Sequence, residues 1–415
     1  MISQLYSVGT ILCSAMFFLI GNGLILTLTP LRADLDGFSA LALGALGSSY
    51  YAGFAAGCLA GPFFFARTGH VRAFSIAAAF TAVSILLQPV LTAPLAWFLL
   101  RAMAGLFIAI LYMTLESWLS ERATSQTRHR ILSAYIIVNL GAVILGQWLL
   151  LFGSPMSFEI FTIAAIFFCL CLVPVGLSRL PQPNPQIMPQ LNIRKLFSVA
   201  PVGAACCITV GLVASAFWTF APSYALSLEF DMRQLALLMS VFVAGGALAQ
   251  WPLGRISDSV DRRGIIALIC TVAAITGLVL VFAELVARVP EIFYSLMFVL
   301  GAAMLPLYAI SIAHANDRLP SADFRQTSAG LLIIFILASA VGPLLASIFV
   351  LITLDAAGAL FIFVALVNAA MAFFAFVREW LPEAPIDEER EAFAVLPQGS
   401  PAAFALDPRA PEDVA

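Results

Sequence analysis

Long apolar stretches constrain the fold of this chain more than any other feature. About twelve follow one another, and each is long enough to cross a bilayer core of about 30 Å as a helix of roughly 20 residues. Hydrophobic residues make up 62% of the chain and the mean hydropathy is +1.02. We therefore predict an all-α membrane protein with twelve transmembrane helices. The predicted spans are residues 8–30, 40–65, 73–92, 94–118, 131–152, 157–178, 199–228, 234–254, 264–283, 290–314, 326–351 and 354–377.

The distribution of Arg and Lys between the predicted loops indicates the orientation. Alternate loops hold thirteen of these residues, whereas the opposite loops hold only Arg32, Arg233 and Arg288. Because cytoplasmic loops carry the excess of basic residues, both termini are predicted to be cytoplasmic. No basic segment precedes the first apolar stretch, so we expect a retained first helix and not a cleaved signal peptide.

The predicted spans fall into two sets of six. A long Pro-rich connection, residues 179–198, separates an N-terminal bundle at 1–178 from a C-terminal bundle at 199–378. Residues 379–415 form an acidic tail that we predict to be disordered and solvated in the cytoplasm.

Landmark residues recur between the two halves at nearly constant spacing, which indicates a duplicated bundle. The pairs are Pro30 and Pro222, Gly53 and Gly245, Gly105 and Gly301, Tyr112 and Tyr308, and Gly146 and Gly342.

The segment from Gln250 to Gly264 is a charged turn between two apolar stretches. It resembles the loop signature Gly-x-x-x-Asp-Arg-x-Gly-Arg-Arg of the major facilitator superfamily: Gly254, Asp258, Arg262 and Arg263 stand at matching places, whereas Ser259 and Asp261 depart from it. Two further motifs support the resemblance, Arg101-x-x-x-Gly105 in the fourth span and Gly342-Pro343 in the eleventh. A weaker first copy of the signature lies at residues 62–72.

The resemblance covers nearly the whole chain. It implies two pseudo-symmetric six-helix bundles and secondary active transport of a small solute by alternating access across the bacterial inner membrane. The runs SSYYAG, LESW and GQWPLGR are most similar to a bacterial subgroup whose substrates are largely undefined.

Arg101 is the clearest charge inside a predicted span, and we expect it to contact the solute. A charged side chain in the bilayer usually faces protein or water, and Gly105, Tyr112 and Glu116 lie on the same face of the helix. An Arg at this position suggests an anionic or zwitterionic solute. In the alternative interpretation, Trp97 and Trp118 mark the two membrane interfaces, and Arg101 reaches the nearer one as an anchor.

Other polar or aromatic residues are candidates for the lining of a central cavity, around which the resemblance places the first, fourth, seventh and tenth spans. Taken singly, each is as readily explained as a contact between helices or an interfacial aromatic. These candidates, with Arg101 and Tyr112, are Asn22, Tyr50, Trp218 and Tyr308.

Several charged residues at the predicted cytoplasmic side are candidates for a gate. Asp258, with Arg262 and Arg263, is expected to hold the two halves together, for example by contact with the N-terminus of the helix opened by Arg128; alternatively the turn only sets the topology. Glu116 is either a proton carrier or a salt-bridge partner. We prefer the salt bridge, with Arg67 and Arg72 in the vicinity. In the first signature copy Ala66 replaces the acid, so the latch is expected to be one-sided.

No cofactor or metal site is predicted. The seven cysteines lie in apolar runs, and no phosphate-binding loop of an ATP-driven pump is present. No Asp or Glu lies mid-membrane, so coupling to protons or to the membrane potential is left open. We expect a monomer that binds a small solute and lipid but no nucleic acid.

Three other functions compete with solute transport. The first is a multidrug or lipid exporter of the same superfamily, although the fifth span lacks the Gly-Pro element of its drug antiporters. The second is a non-transporting ligand sensor that signals through its tail. The third is an intramembrane enzyme, which the lack of clustered acids or His disfavours.

Overall fold

The computed structural model consists of long helices in the places of the predicted spans. It describes residues 2–124, 126–178, 183, 193–282, 286–319, 324–353, 356–381, 393–395 and 399–407, among which no strand occurs. The α-helices are numbered in chain order: α1 Ile2–Leu35, α2 Ala40–Thr68, α3 His70–Leu87, α4 Pro94–Arg122, α5 Arg128–Trp148, α6 Phe158–Leu170, α7 Leu172–Leu177, α8 Ile193–Val199, α9 Pro201–Ser227, α10 Met232–Ser259, α11 Arg262–Leu280, α12 Pro290–Asn316, α13 Phe324–Thr353 and α14 Ala356–Glu379. Short 3-10 helices cover Leu149–Phe152 and Pro401–Leu406.

Each predicted span corresponds to a long helix, with α6 and α7 together forming the sixth. Among the described residues, eleven helices are long and apolar enough to cross a membrane by those two criteria. The remaining predicted span corresponds to α2, which has 29 residues and is not among these eleven. Helices form here because lipid offers no partner to backbone polar groups, which must bond within the segment. The prediction of an all-α membrane protein with twelve spanning helices is confirmed.

Large apolar side chains cover much of the outer surface. Leu59, Phe63 and Phe373 are 65%, 70% and 71% exposed. Exposed apolar surface on this scale is unfavourable in water but matches a surrounding bilayer.

Two compact units make up the chain. Unit 1 comprises Met1–Arg32, Ser49–Gln190 and Leu396–Ala415, and unit 2 comprises Ala33–Ser48 and Leu191–Val395. The division at Gln190 lies within the predicted linker 179–198, of which residues 179–182 and 184–192 are outside the described residues.

The start of α2 belongs to unit 2, which differs from the predicted domain boundary at residue 178. A Cβ on Gly44 would come within 2.8 Å of the Pro343 carbonyl oxygen, and one on Gly47 would collide with Thr219. These close approaches bring residues 33–48 into contact with α9 and α13.

Glycines allow close helix crossings inside unit 1. A Cβ on Gly53 would collide with the Ala102 carbonyl group, and a Cβ on Gly105 would collide with the Tyr50 carbonyl oxygen. The backbones of α2 and α4 therefore touch directly, an arrangement typical of small residues between membrane helices.

Unit 2 repeats these crossings at the equivalent positions. A Cβ on Gly245 would collide with the Phe298 carbonyl group on α12, and a Cβ on Gly301 would collide with the Phe242 carbonyl oxygen on α10. In the same way, a Cβ on Gly146 would collide with the Ile20 carbonyl oxygen in unit 1, and a Cβ on Gly342 would collide with the Leu212 carbonyl oxygen in unit 2. The duplication inferred from sequence spacing is thus matched by equivalent backbone contacts within each unit.

The C-terminal tail differs from the prediction where it is described. Pro401–Leu406 is a 3-10 helix, and Ala403, Phe404 and Leu406 are at most 2% exposed. The prediction of a disordered, solvated tail is therefore wrong for residues 399–407, because their apolar side chains are buried against unit 1. Tail residues 382–392, 396–398 and 408–415 lie outside the described residues.

Candidate functional site

Arg101 lies inside unit 1 with very little polar compensation. Its side chain is 4% exposed, its guanidinium carbon lies 4.5 Å from the centre of the Tyr50 ring on α2, and Nη1 donates to Thr29 Oγ1 on α1 at 3.4 Å. A guanidinium has five N–H donors. Within the described residues no carboxylate accepts from Arg101, which is therefore a buried cation with one long hydrogen bond and one aromatic face.

Tyr50 contacts Arg101, and the predicted binding residues Asn22 and Tyr112 extend from Tyr50 through side-chain hydrogen bonds. Tyr50 Oη approaches Asn22 Oδ1 to 3.5 Å, at the limit of a hydrogen bond. The Tyr112 hydroxyl interacts with the side chains of Asn22 and Asn139. Residues from α1, α2, α4 and α5 thus form one polar cluster in an apolar bundle.

Aromatic rings hold Tyr112 in place. Phe18 contacts the Tyr112 ring edge-on with the centroids 4.8 Å apart, and Phe54 contacts it at 6.1 Å. Tyr50 also packs on Phe54 at 6.2 Å. The hydroxyl of Tyr112 is thereby directed toward the amides of the cluster.

The polar cluster continues to Glu116, which is fully buried. Tyr135 Oη donates to Glu116 Oε1 at 3.0 Å, and Tyr135 also interacts with the Asn139 side chain. On the other side, the Ser400 hydroxyl of the tail donates to Glu116 Oε2. We call the chain of contacts from Arg101 to Glu116 the unit 1 network. It follows α4 for fifteen residues, or about 22 Å.

The expected contacts of Glu116 with Arg67 and Arg72 are not formed. Both Arg side chains are exposed, and in the described part of the chain Glu116 interacts with the hydroxyls of Tyr135 and Ser400 and the backbone amide of Ala403. The prediction of a salt bridge at Glu116 is wrong, because its side chain points into the bundle and the two arginines lie on the surface.

Arg101 and the two tryptophans of the interfacial interpretation are all buried inside unit 1. Trp97 and Trp118 are only 1% and 2% exposed, and Trp97 Nε1 donates to the Leu91 carbonyl oxygen at 2.5 Å. Both tryptophans are packed inside unit 1, and the position of Arg101 relative to the membrane interface stays a prediction.

Arg262 of the charged turn is the centre of an ion-pair cluster in unit 2. Arg262 Nη2 lies 3.0 Å from Asp258 Oδ1, and Nε lies 2.8 Å from Asp317 Oδ2 at the end of α12. The side chains of Arg262 and Asp317 are only 2% and 8% exposed, against 30% for Asp258. The structure thus joins two predicted gate residues and adds Asp317, which the sequence analysis missed.

Arg263 pairs with Asp261, the residue that caps the start of α11. Asp261 accepts from the Arg263 backbone N–H at 2.9 Å and forms an ion pair with its guanidinium at 2.7 Å. Burial raises the pKa of Asp261, but the hydrogen bonds and charge of Arg263 outweigh it, so this pKa lies below its ordinary value. Arg263 Nη1 also donates to the Arg378 carbonyl oxygen at 2.8 Å and so ties α11 to the end of α14.

Asp258 has a second partner that the sequence did not indicate. Its two carboxylate oxygens accept from the backbone N–H of Phe393 at 3.0 and 2.9 Å. The contact predicted between Asp258 and the helix opened by Arg128 concerns the other unit and stays a prediction.

Trp218 and Tyr308 belong to unit 2, where they pack against different phenylalanine rings. Trp218 is edge-on to Phe242 at 6.4 Å, and Tyr308, 1% exposed, packs on Phe335 at 5.1 Å. Their predicted role in binding stays a prediction.

Three members of the unit 1 network were missed by the sequence analysis, namely Thr29, Tyr135 and Asn139. Asn139 had a usable signal, because it is an amide within an apolar run, four residues after Tyr135 and therefore on the same face of α5. Thr29 had no such signal, since Thr in membrane helices commonly bonds its own backbone.

Comparison with known families agrees with this architecture. The model described as "Major Facilitator Superfamily" matches residues 10–286 and 203–406. The chain belongs to this superfamily. Among its relatives is the MFS-type transporter YcaD of Salmonella typhimurium, 24% identical over 335 residues, or 80% of this chain and 86% of that protein.

Solved structures of other superfamily members share the fold. A variant of the nucleoside transporter NupG is 13% identical with a TM-score of 0.77, covering 89% of this chain and 99% of that one. The D-xylose-proton symporter is 15% identical with a TM-score of 0.69, covering 93% and 98%. At these identities the likeness concerns the fold. The chain is a multi-pass membrane protein of a transporter family.

Proposed function

We propose that this protein is a secondary active transporter that moves a small anionic or zwitterionic solute across the bacterial inner membrane by alternating access. In this proposal both termini are cytoplasmic, as the thirteen basic residues of the alternate loops indicate. The protein acts as a monomer, and its energy comes from protons or from the membrane potential. Family membership supports transport in general, whereas the substrates of NupG and of the xylose symporter are properties of those proteins.

The observation that carries the proposal is the buried guanidinium of Arg101. A cation removed from water is unfavourable unless it is paired and hydrogen-bonded. Here the described surroundings supply one hydroxyl at 3.4 Å and the ring of Tyr50. A carboxylate or phosphate of a solute would provide the missing acceptors, and hydrogen bonds to charged groups contribute about 1.5 to 3 kcal/mol each.

The remaining cluster residues suit a small polar solute. Asn22, Tyr50 and Tyr112 offer both donors and acceptors, and Phe18 and Phe54 provide apolar contact. Trp218 and Tyr308 are proposed to contribute from unit 2. The ion pairs of Arg262 with Asp258 and Asp317 are proposed to stabilise one of the transport states. A latch worth only a few kcal/mol is enough to bias such an equilibrium.

A thermal-shift screen of the purified protein in detergent tests this function. The panel contains anionic, zwitterionic, neutral and cationic metabolites, hydrophobic drugs and lipids. A ligand at 100 times its dissociation constant stabilises the folded state by about 2.7 kcal/mol, so a hit raises the unfolding temperature. We expect hits among anionic or zwitterionic solutes and uptake of the same solutes by proteoliposomes.

The variant Arg101→Gln separates the proposed site from general effects. It removes the charge and should abolish the stabilisation, whereas Arg233→Gln, at an exposed Arg, should retain it. Equal stabilisation of both variants would refute the role of Arg101. Stabilisation only by hydrophobic drugs or lipids would instead favour the multidrug or lipid exporter.

A further inference from the structure

Two short stretches of the C-terminal tail bind the two acids that the sequence analysis placed at a gate. The backbone N–H of Phe393 donates to both oxygens of Asp258 in unit 2. The hydroxyl of Ser400 donates to Glu116 in unit 1. The tail therefore occupies a carboxylate in each unit, and the two contacts are only seven residues apart in sequence.

Residues 399–407 are well packed against unit 1. Ala402, Phe404 and Leu406 are 3%, 2% and 0% exposed. Ser400 Oγ caps the 3-10 helix by accepting from the Ala402 N–H at 3.2 Å. At the other end, Arg128 Nη1 at the start of α5 donates to the Asp407 carbonyl oxygen at 3.4 Å.

Gly399 shows how closely this segment approaches the unit 1 network. A Cβ at Gly399 would lie 2.6 Å from Cδ1 of Tyr112 and would collide with the carboxylate of Glu116. No side chain larger than hydrogen fits without movement of these two groups. The segment is therefore in direct contact with the Glu116 end of the network.

The composition of the segment explains why it is buried while its surroundings in sequence are charged. Residues 399–406, GSPAAFAL, carry no charge, whereas residues 383–391 contain Glu383 and the run Asp387-Glu388-Glu389-Arg390-Glu391. An uncharged stretch with one Phe and one Leu can leave water at little cost, and its Ser supplies the hydroxyl that the buried Glu116 needs.

We propose that residues 399–407 are a removable plug that covers the Glu116 end of the unit 1 network and inhibits transport while it is bound. With the plug in place, Ser400 and Gly399 occupy the space through which water or a solute would reach Tyr112 and Glu116 from the predicted cytoplasmic side. Release of the plug frees Glu116 and opens that end. The inhibition of transport rests on the proposed function, whereas the occlusion does not.

Labelling of a thiol beneath the plug measures the occlusion. The reporter is Tyr112→Cys, in a chain whose Cys13 and Cys169, the two cysteines that are not buried, are replaced by Ser. It is prepared at three lengths: the full chain, a chain ending at Asp407, and a chain ending at Val395. A membrane-impermeant thiol reagent is added to inverted membrane vesicles, which expose the predicted cytoplasmic side.

The first two chains should react slowly, and the chain ending at Val395 about tenfold faster, the change that 1.4 kcal/mol makes in an equilibrium constant. The chain ending at Asp407 is the matched control, because it loses only residues beyond the plug. Equal labelling rates at all three lengths would overturn the proposal.

Hydrogen-deuterium exchange on otherwise intact chains tests the plug without truncation. Amides of residues 402–407 should exchange slowly in the wild-type protein and about tenfold faster in Gly399→Ala, whose new methyl group collides with Glu116. In the control Gly141→Ala nothing lies within 4 Å of the new Cβ, and exchange should be unchanged. Exchange in the wild type as fast as in a free peptide of this sequence would overturn the proposal.

The outcomes distinguish the plug from the transport function. Fast labelling of the chain ending at Val395, with no solute bound or taken up by the wild-type protein or by a chain ending at Val395 that retains Tyr112, supports the plug as a cover and contradicts the proposed function. Equal labelling rates at all three lengths, together with solute stabilisation that depends on Arg101, would overturn the plug and support the proposed function. Where a solute is found, removal of the plug should increase its uptake severalfold, and equal uptake would overturn inhibition.

Discussion

Replacing Gly105 with Ala should destabilise unit 1 and disturb the environment of Arg101 at the same time. The new Cβ would collide with the carbonyl oxygen of Tyr50 and lie 3.0 Å from the Phe54 nitrogen. All these atoms belong to the backbone of α2, so no side-chain rotation can relieve the contact. The helices must separate by on the order of 1 Å to restore carbon contacts of about 3.5 Å.

The magnitude follows from overpacking and from the helix preference of Ala. Overpacking in a well-packed interior costs typically about 1 to 3 kcal/mol, and Ala in place of a helical Gly regains about 0.8 to 1.0 kcal/mol. Gly141→Ala, in α5, has the same backbone gain but no atom within 4 Å of the new Cβ. The difference between the two variants therefore isolates the steric cost of about 1 to 3 kcal/mol.

The assay is thermal unfolding in detergent, combined with the Arg101-dependent thermal shift. Gly105→Ala should unfold at a lower temperature than Gly141→Ala and should weaken solute stabilisation, because Tyr50 moves away from Arg101. Loss of the cation–π contact contributes about 0.5 to 2 kcal/mol. If Gly105→Ala is as stable as Gly141→Ala and binds solute equally well, the direct α2–α4 contact is refuted.

Two further predictions concern the charged turn of unit 2. Asp317→Asn should lower the free energy of unfolding by about 3 kcal/mol or more, because removal of one partner leaves the buried Arg262 with less compensation for its charge. Asp258→Asn should lower it less, since the Asp258 side chain is 30% exposed. Equal losses of stability in thermal unfolding would contradict the ion-pair geometry. Because the pKa of folded Asp261 is depressed below 3.8, its contribution to stability is present above pH 3.8 and is lost as the pH falls through the lower folded value. When the free energy of unfolding is measured between pH 6 and pH 3, Arg263→Ala should therefore lose less stability than the wild type below about pH 4. Identical dependence of stability on pH in the two proteins would argue against the pair of Asp261 and Arg263.

The positions of individual site residues were predictable only in part. Arg101, Tyr112 and Glu116 were placed on one face of α4 from helical spacing alone, and the structure has all three in the unit 1 network. The partners of Glu116 were not predictable: a shared position on the predicted cytoplasmic side suggested Arg67 and Arg72, whereas the actual partners are Tyr135 and Ser400. Helical spacing orders residues within one helix but does not say which neighbouring helix each side chain meets.

Local hydrophobicity explains the success of the topology prediction. The sequence by itself determined the number and approximate ends of the helices. In lipid each segment must satisfy its backbone hydrogen bonds internally, so a spanning helix is recognisable from its own length and composition. It also determined the duplication, because glycines at helix crossings must recur wherever two backbones touch.

Only the tertiary structure decided which polar groups meet and what becomes of the tail. The contact of Ser400 with Glu116 spans 284 residues, and that of Phe393 with Asp258 spans 135. Such contacts depend on the rotation and separation of packed helices, where a shift of about 1 Å decides between a hydrogen bond and none. The acidic composition of the tail as a whole concealed a short uncharged segment, and that segment is buried only because α4 and α5 are brought together by the fold to contact it.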